Sequence, residues 1–276
     1  MTLELASAVD GLPARPSQPY AIEKLHYVGQ YQTIFAQGMK GKWPNRIYID
    51  LLAGPGRCRI RETGEEFEGS PILSFAAPFT HRVFVEAEPT LAAALRQRAV
   101  GPCHIIEADC NASDTIAEIR AQCPANALGL AFVDNLGLDV SFTTMAALTR
   151  DRKIDLMVVM QLQDLTRNVQ DVLSGRDDRH RVDDFFGGPA WEAKARQLMA
   201  ANASAGEIAN GLVTFYGDQL ASIGYPHVAE SRSVMRNSVN AAQYRLVLAG
   251  KHQKAVEFFR KIEKIDPRGQ RALGFD

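Results

Sequence analysis

The sequence predicts an α/β fold with a mostly parallel β-sheet. Five runs rich in β-branched and aromatic residues alternate with segments whose apolar residues recur at helical spacing. Two of these runs, at 131–133 and 156–160, are apolar throughout, as is typical of strands covered on both faces. A turn of small residues follows the first run. Together these features predict right-handed βαβ crossovers and helices on both faces of the sheet.

The first half of the chain supplies most of the predicted sheet. Apolar spacing marks the helices, glycines and prolines mark their ends, and short apolar runs mark the strands. The predicted elements are, in order, an irregular arm at 1–20, a helix from Ile22 to Gly38 or Gly41, a strand at 46–51, a polar loop at 57–69, a helix starting at Ser70-Pro71, and strands at 82–85, 103–106, 130–133 and 154–160, with helices starting near Glu88 and Asn111 between them.

The second half predicts an insertion and a closing strand pair. Residues 162–204 have a less regular pattern, which we interpret as a helical insertion. A long helix ends at Gly224, two strands at 227–235 and 243–249 flank a polar turn at 236–238, and a basic helix begins after Gly250. The short connection favours an antiparallel last strand. The prediction is therefore one domain at 21–276 with a seven-stranded sheet.

Composition excludes several classes of protein. The chain has 276 residues, with 31 Lys and Arg against 32 Asp and Glu, so its net charge of −1 does not support nucleic-acid binding, although a local basic face is still possible. No apolar run approaches ~18 residues and no secretory signal opens the chain, so neither a membrane span nor export is expected.

The four cysteines, Cys58, Cys103, Cys110 and Cys123, form no C-x-x-C pair. Cys103 and the adjacent His104 would point to opposite faces of a strand, so no metal site is predicted. Reduced, partly buried thiols favour a cytoplasmic protein.

The turn after the first strand is predicted to approach a ligand closely. Ala53, Gly54 and Gly56 leave room for a ligand against the backbone, which larger side chains would fill. The turn lacks both the G-x-G-x-x-G spacing and a P-loop lysine, so ATP is disfavoured and NAD is the second choice. Its D-x-x-A-G-x-G spacing is similar to the first motif of class I S-adenosylmethionine-dependent methyltransferases. The alternative is a purely structural tight turn.

An acidic residue follows each of the first four predicted strands, where an open α/β sheet binds ligands. With S-adenosylmethionine as cofactor, Asp50 would accept from the ammonium group, Glu86 from both ribose hydroxyls, and Asp109 from the adenine amino group. The alternative for Asp109 is a helix N-cap. Ser70 and Asn111 complete the predicted cofactor-binding set.

The fourth strand predicts the catalytic position. Asp134 and Asn135 follow it, where class I methyltransferases present the methyl acceptor. A side-chain oxygen here would hydrogen-bond an amine or amide and align its lone pair, which supplies much of the rate of a displacement. The alternative is that Asp134 only caps the strand.

The chain from about residue 22 resembles the three-Cys-motif partner proteins of bacteria, which have a methyltransferase-like fold. The matching stretches are residues 48–56, 69–71, 83–86, 132–134 with Gly137, 185–187 before Trp191, and 244–248. The cysteines of the family name belong to a partner protein. The family shows Asp-Pro-Phe/Tyr-Gly after the fourth strand, whereas this chain has Asp134-Asn135-Leu136-Gly137. The aromatic surface that would stack on a nucleobase is thus absent.

The sequence therefore predicts a class I methyltransferase-like Rossmann sandwich that binds S-adenosylmethionine and methylates an N or O acceptor. A second hypothesis is a non-catalytic partner subunit of a nucleic-acid-processing or radical enzyme system, with a protein partner. A third is an NAD-dependent oxidoreductase.

Overall fold

The computed structural model describes residues 5–135, 137–231, 235–236 and 242–265. The chain forms two compact units. The first contains residues 1–132 and 257–276, and the second contains residues 133–256. The sequence prediction of a single domain at 21–276 stays a prediction.

The first unit contains eight strands, four α-helices and a short 3-10 helix (Ser74–Ala76) in its N-terminal segment, counted over the described residues. The strands are β1 (Leu5–Ala6), β2 (Pro13–Ser17), β3 (Arg46–Asp50), β4 (Arg57–Ile60), β5 (Glu66–Glu68), β6 (His81–Val85), β7 (His104–Ile106) and β8 (Leu128–Val133), the last ending at the unit boundary. The helices are α1 (Tyr20–Met39), α2 (Ser70–Leu73), α3 (Pro89–Arg98) and α4 (Ser113–Gln122).

The main sheet of this unit has the strand order β8-β3-β6-β7, with every pair parallel. Asp50, the last residue of β3, is in register with Phe84 of β6 and Phe132 of β8. Both phenylalanines are fully buried, as expected for strands covered on both faces. Because the carboxyl ends of parallel strands meet at one edge, the residues after β3, β6 and β7 lie at the same edge of the sheet.

A second, smaller sheet corrects two sequence predictions. Strands β1-β2-β4-β5 form it, although residues 1–20 were predicted to be an irregular arm and residues 57–69 a polar loop. Strand β2 pairs in parallel with β4, so its backbone groups find partners about 40 residues later in the chain. The prolines of β2 argue against a strand when the segment is considered alone.

The second unit contains α5 (Phe142–Thr149), β9 (Lys153–Gln161), α6 (Leu162–Leu173), α7 (His180–Phe186), α8 (Ala190–Ala200), α9 (Ala205–Ser222), β10 (His227–Glu230), β11 (Met235–Arg236) and β12 (Ala242–Gly250). Helices α6 to α8 occupy the range predicted as a helical insertion. The strand predicted at 227–235 ends at Glu230, and the polar turn predicted at 236–238 lies mostly outside the described residues.

The strands of the second unit have the order β10-β12-β9, and β12 is antiparallel to both of its neighbours. With the four parallel strands of the first unit they make up seven strands, and the short β11 pairs with β12 in addition. The predicted α/β class, with a mostly parallel seven-stranded sheet and an antiparallel last strand, is confirmed. No helix within the described ranges is both long and apolar enough to cross a membrane.

The last helix, α10 (Gln253–Ile262), extends into the first unit at residue 257. Phe259 is fully buried and packs edge-on against Tyr31 of α1, with ring centroids 6.2 Å apart. Phe258 fills the space over Gly38 of α1, where a Cβ atom would lie 2.7 Å from its ring. The core of the first unit therefore depends on aromatic residues from the end of the described chain.

A buried acid near the start of β9 has an unusual protonation equilibrium. Asp155 is 5% exposed and accepts a hydrogen bond of 2.8 Å from the Lys251 amide. Burial raises the pKa of Asp155 from 3.8 to about 7, and the Lys251 amide and ammonium oppose this shift. Between pH 3.8 and about pH 7, the Asp155 carboxyl is thus mostly protonated in the folded protein and mostly ionised in the unfolded chain.

We expect this acid to make the protein less stable as pH rises from about 4 to about 7. Over that range the folded state binds more protons than the unfolded state, so the free energy of unfolding falls by up to ~1.4 kcal/mol per pH unit. Chemical denaturation of the wild type and Asp155→Asn across this range measures the slope. In Asp155→Asn, the free energy of unfolding should lack the fall with pH that Asp155 causes. The variant should therefore gain stability relative to wild type toward pH 8. Parallel pH profiles would contradict the assignment.

Candidate active site

The turn that follows β3, residues 53–56, is called the glycine turn. Gly54 and Gly56 have φ angles of +65° and +84°, in the left-handed region that favours glycine. The Ala53 amide donates to the Val85 carbonyl at 2.9 Å, which fixes the turn against the end of β6. The two glycines are therefore required by the backbone conformation, and the turn is fixed at the edge of the sheet where the parallel strands end.

Glu86 follows β6 and contacts the glycine turn directly. One carboxylate oxygen accepts from the Gly54 amide at 2.8 Å, and the other accepts from the Glu88 amide at 2.9 Å. The side chain is partly exposed. Each carboxylate oxygen has room for a second donor, so Glu86 can also receive hydroxyl groups of a ligand. The structure thus brings together two features that the sequence predicted separately, the glycine turn and the acid after the second strand of the main sheet.

Asp50 lies beneath the turn and is fully buried. The Tyr48 hydroxyl donates to its Oδ2 at 3.0 Å. Burial, followed by the charge of Asp50, raises the pKa of Tyr48 well above its usual value, so Tyr48 stays a proton donor. Gln32, also fully buried, donates to the Ser70 carbonyl at 3.1 Å. The Tyr48 side chain also interacts with Gln32 and Ser70, so Asp50 and Ser70 belong to one buried polar layer. Because Asp50 is fully buried, a direct ligand contact by its carboxylate requires neighbouring atoms to move.

Asp109 and Asn111 lie after β7 and are exposed. The Asn111 amide donates to Asp109 Oδ1 at 2.9 Å, which closes a local turn before α4. The N-cap of α4 is Ala112, so the alternative that Asp109 caps this helix is wrong. Asp109 keeps its second carboxylate oxygen for another donor.

Asp134 and Asn135 follow β8 and belong to the second unit. They are 7% and 1% exposed, respectively. Asn135 Oδ1 accepts from the Val140 amide at 3.2 Å and so closes the loop that contains Gly137, whose φ is +73°. Among the described residues, Asn135 Nδ2 is buried and has no hydrogen-bond partner. An unsatisfied buried amide is costly, which favours a role for this group toward a ligand.

A cleft of about 560 Å³ lies within the second unit, between α6 and α9. Its arginines are paired: Arg167 contacts Asp164 at 2.8 Å, and Arg176 contacts Asp171 at 2.7 Å. The lining is therefore close to electrically neutral. It suits an uncharged polar ligand better than a phosphate.

All four cysteines are free thiols, and Cys58, Cys110 and Cys123 are buried. Within the part of the chain that the structure describes, no group of three His, Cys, Asp or Glu residues is arranged to hold a metal ion.

Sequence reasoning missed a cationic side chain beside the glycine turn. A Cβ atom on Gly54 would lie 3.7 Å from Arg15 Nη1, and Arg15 belongs to β2 of the small sheet. Because the sequence predicts an irregular arm at 1–20, it does not place Arg15 near Gly54. A single arginine in a proline-rich stretch is too weak a signal to predict such a contact.

Several solved structures are similar to this chain in fold. A Legionella pneumophila protein superposes with a TM-score of 0.49 at 9% identity, over 88% of this chain and 90% of that one. An O-methyltransferase from Bacillus cereus in complex with SAH superposes with a TM-score of 0.45 at 13% identity, over 88% of this chain and 86% of that one. Trm1 from Pyrococcus horikoshii with S-adenosyl-L-methionine superposes with a TM-score of 0.46 at 11% identity, over 88% of this chain and 58% of that one.

No protein-family model matches the sequence, and no curated protein matches it either. At these TM-scores and identities, the structural likeness carries no argument about ligand or reaction.

Proposed function

We propose that this protein binds S-adenosylmethionine and transfers its methyl group to an N or O acceptor. The contact between the Glu86 carboxylate and the Gly54 amide is the observation that carries this proposal. It supports a site in which a backbone turn without side chains lies beside an acid that can receive two ribose hydroxyls. A dinucleotide site uses an acid after the second strand in the same way, but it also needs the full G-x-G-x-x-G helix start, which this turn lacks.

The residues at the sheet edge fit the cofactor in chemistry. Glu86 would accept from the ribose, Asp109 would accept from the adenine amino group, and the glycine turn would admit the ligand against its backbone. Asp50 and Ser70 would hold the turn from below, and Asn111 would hold Asp109. When bound, the cofactor would supply a methyl group activated by its attachment to a sulfonium sulfur.

The catalytic role of Asp134 and Asn135 is a separate part of the proposal. Asp134 would accept a hydrogen bond from the acceptor and orient its lone pair, which lowers the entropic part of the barrier. The Nδ2 group of Asn135, buried and without a partner among the described residues, supports a polar ligand group nearby. Transfer would form a bond from the acceptor N or O to the methyl carbon while the carbon–sulfur bond breaks. The electron pair of that bond would stay on sulfur, and the proton of the acceptor would pass to water.

Membership of the three-Cys-motif partner proteins is a finer hypothesis, based on the sequence stretches alone. It brings the alternative of a partner subunit that binds the cofactor without strong catalysis. Cytoplasmic location and a protein partner stay predictions, and the net charge does not support nucleic-acid binding.

Calorimetry on one sample distinguishes the proposed cofactor from its competitors. We expect S-adenosylmethionine and S-adenosylhomocysteine to bind, and NAD and ATP not to bind. Binding of NAD with no binding of S-adenosylmethionine would replace the methyltransferase proposal with the oxidoreductase. Cofactor binding without methylation of any acceptor offered, tested with radiolabelled methyl groups, would favour the partner-subunit alternative.

Glu86→Ala should weaken S-adenosylmethionine binding by roughly 1.5–3 kcal/mol, because charge-assisted hydrogen bonds to the ribose are lost. Glu86→Gln keeps the size of the side chain and should lose somewhat less binding free energy than Glu86→Ala. The matched control is Glu88→Ala, which removes a neighbouring exposed acid that caps α3. Unchanged calorimetric affinity in a Glu86 variant with a wild-type melting curve would refute the ribose assignment.

A further inference from the structure

The N-terminal strap, residues 5–17, passes beside the glycine turn. Strand β2 of the strap pairs in parallel with β4, which follows the turn directly, and the register places Arg15 opposite Cys58. The Arg15 side chain extends to Gly54, where a Cβ atom would lie 3.7 Å from Nη1 and 3.8 Å from Cδ. Apart from the chain neighbours of Gly54, no other described residue comes within 4 Å of that point. Arg15 is therefore the side chain that faces the open side of Gly54.

The strap is held in this position by an ion pair between the buried Arg98 side chain and the partly exposed Asp10 carboxylate. Arg98, whose side chain is 7% exposed, donates to both carboxylate oxygens of Asp10 at 2.8 and 2.7 Å. Its Nη1 also donates to the Pro13 carbonyl of the strap and to the Pro55 carbonyl of the glycine turn, at 2.6 and 2.8 Å. Bidentate pairs of this kind fix geometry as well as adding energy. Arg98 thus joins the strap to the glycine turn and fixes the position of the backbone that carries Arg15.

A second contact fastens the other end of the strap. Glu66 of β5 accepts from the Ser7 hydroxyl at 2.6 Å and from the Ala8 amide at 2.5 Å. Ala14, next to Arg15, is fully buried. The strap is therefore anchored on both sides of its Gly11 bend, and Arg15 extends from a fixed backbone.

Arg15 differs from Arg57, Arg59 and Arg98 in having no anionic partner within the described residues. Arg57 lies 3.9 Å from Asp10, Arg59 lies 4.0 Å from Glu66, and Arg98 is paired with Asp10. Within the described residues, no hydrogen bond or ion pair is formed by the Arg15 guanidinium, although the residue is only partly exposed. A partly buried cation that lacks a partner is costly, and guanidinium matches a carboxylate in shape and charge.

We propose that Arg15 binds the carboxylate of the amino-acid end of the cofactor, so that the N-terminal strap forms part of the cofactor site. The inference rests on the proposed function. Glu86 lies at the same turn and its negative charge would repel a phosphate, which carries more charge than a carboxylate. A ligand that places a single carboxylate beside Arg15 and its hydroxyls on Glu86 satisfies both groups.

Two ligands that differ by one group test this assignment. Calorimetry of wild type and Arg15→Met is carried out with S-adenosylmethionine and with its decarboxylated form, which lacks only the carboxylate. We expect Arg15→Met to weaken binding of S-adenosylmethionine by ~10- to 100-fold, as for loss of one charge-assisted pair, and to change binding of the decarboxylated ligand less than twofold. Arg15→Lys should retain part of the difference between the ligands.

The matched control is Arg61→Met, an exposed arginine just beyond β4 that should leave both affinities unchanged. Equal affinity of Arg15→Met and wild type for S-adenosylmethionine would overturn the assignment. So would equal weakening for both ligands, because that result means Arg15 only supports the strap. Melting curves check that the variants are folded, and Arg15→Lys keeps the test decisive if Arg15→Met is unstable. If wild type binds neither ligand, the proposed function itself fails.

Discussion

Gly54→Val is expected to abolish measurable binding of S-adenosylmethionine while the protein remains folded. The branched side chain would enter the space between Gly54 and Arg15, which we assign to the ligand. Protein atoms leave room for the first carbon, since the nearest lies 3.7 Å away and belongs to a flexible side chain. The positive φ of Gly54 adds strain of about 1–3 kcal/mol. Calorimetry gives the affinity, and circular dichroism with thermal melting gives the stability.

Gly175→Val is the matched control for backbone strain. Gly175 has a φ of +72° and open space around its Cβ position. The two variants should lose similar stability, and only Gly54→Val should lose the ligand. If Gly54→Val binds S-adenosylmethionine normally, the glycine turn does not contact the ligand.

Gly56→Val should behave differently from Gly54→Val. A Cβ atom on Gly56 would lie 2.9 Å from Ile72 and 3.0 Å from Leu95, in addition to the strain of a φ of +84°. We therefore expect Gly56→Val to destabilise the fold, so that loss of ligand there is not informative. From the sequence alone, the two glycines are predicted to respond alike, and the packing of Ile72 and Leu95 separates them.

Asp134→Ala is expected to lower the rate of methyl transfer by ~10²-fold or more, with little change in cofactor affinity. The reason is that Asp134 would align the acceptor and would not hold the cofactor. Single-turnover rates with an identified acceptor, together with calorimetry for the cofactor, separate the two effects. Asp139→Ala, an exposed acid in the same loop, is the matched control. Unchanged turnover in Asp134→Ala would reduce Asp134 to a strand-end cap.

A companion variant tests the departure from the family pattern after β8. Asn135→Pro combined with Leu136→Phe restores the Asp-Pro-Phe-Gly sequence and provides a surface for base stacking. New or higher activity on RNA or DNA bases would show that the natural sequence has moved away from nucleobases. Since Asn135 accepts from the Val140 amide, the variant also needs a melting curve as a check on the loop.

The sequence predicted the main strands closely and the small sheet not at all. The strand predicted at 46–51 is observed at Arg46–Asp50, because a run of β-branched and aromatic residues buried on both faces has few alternatives. The small sheet depends on pairing between β2 and β4, which are far apart in the chain, and the two prolines of β2 conceal that strand. Local patterns carry no information about such pairing.

The same difference between local patterns and long-range packing explains which residues of the candidate site the sequence predicts. Asp50 and Glu86 were predictable because parallel topology brings residues at strand ends to one edge. The contact between Glu86 and Gly54 follows from that topology, although the residues are 32 positions apart. The Asp10–Arg98 pair, 88 positions apart, and the place of Arg15 depend on how the strap packs, so only the structure reveals them.

The position of α10 has a consequence for synthesis on the ribosome. The first unit needs Phe258 and Phe259 to cover Tyr31 and Gly38 of α1, and these aromatic residues are translated more than 200 residues later. At ~5–20 residues per second, the apolar face of α1 waits tens of seconds for its covering helix. During this interval the nascent first unit exposes apolar surface that chaperones bind. A stalled chain that ends before residue 257 should therefore be much more sensitive to protease at α1 than the released protein.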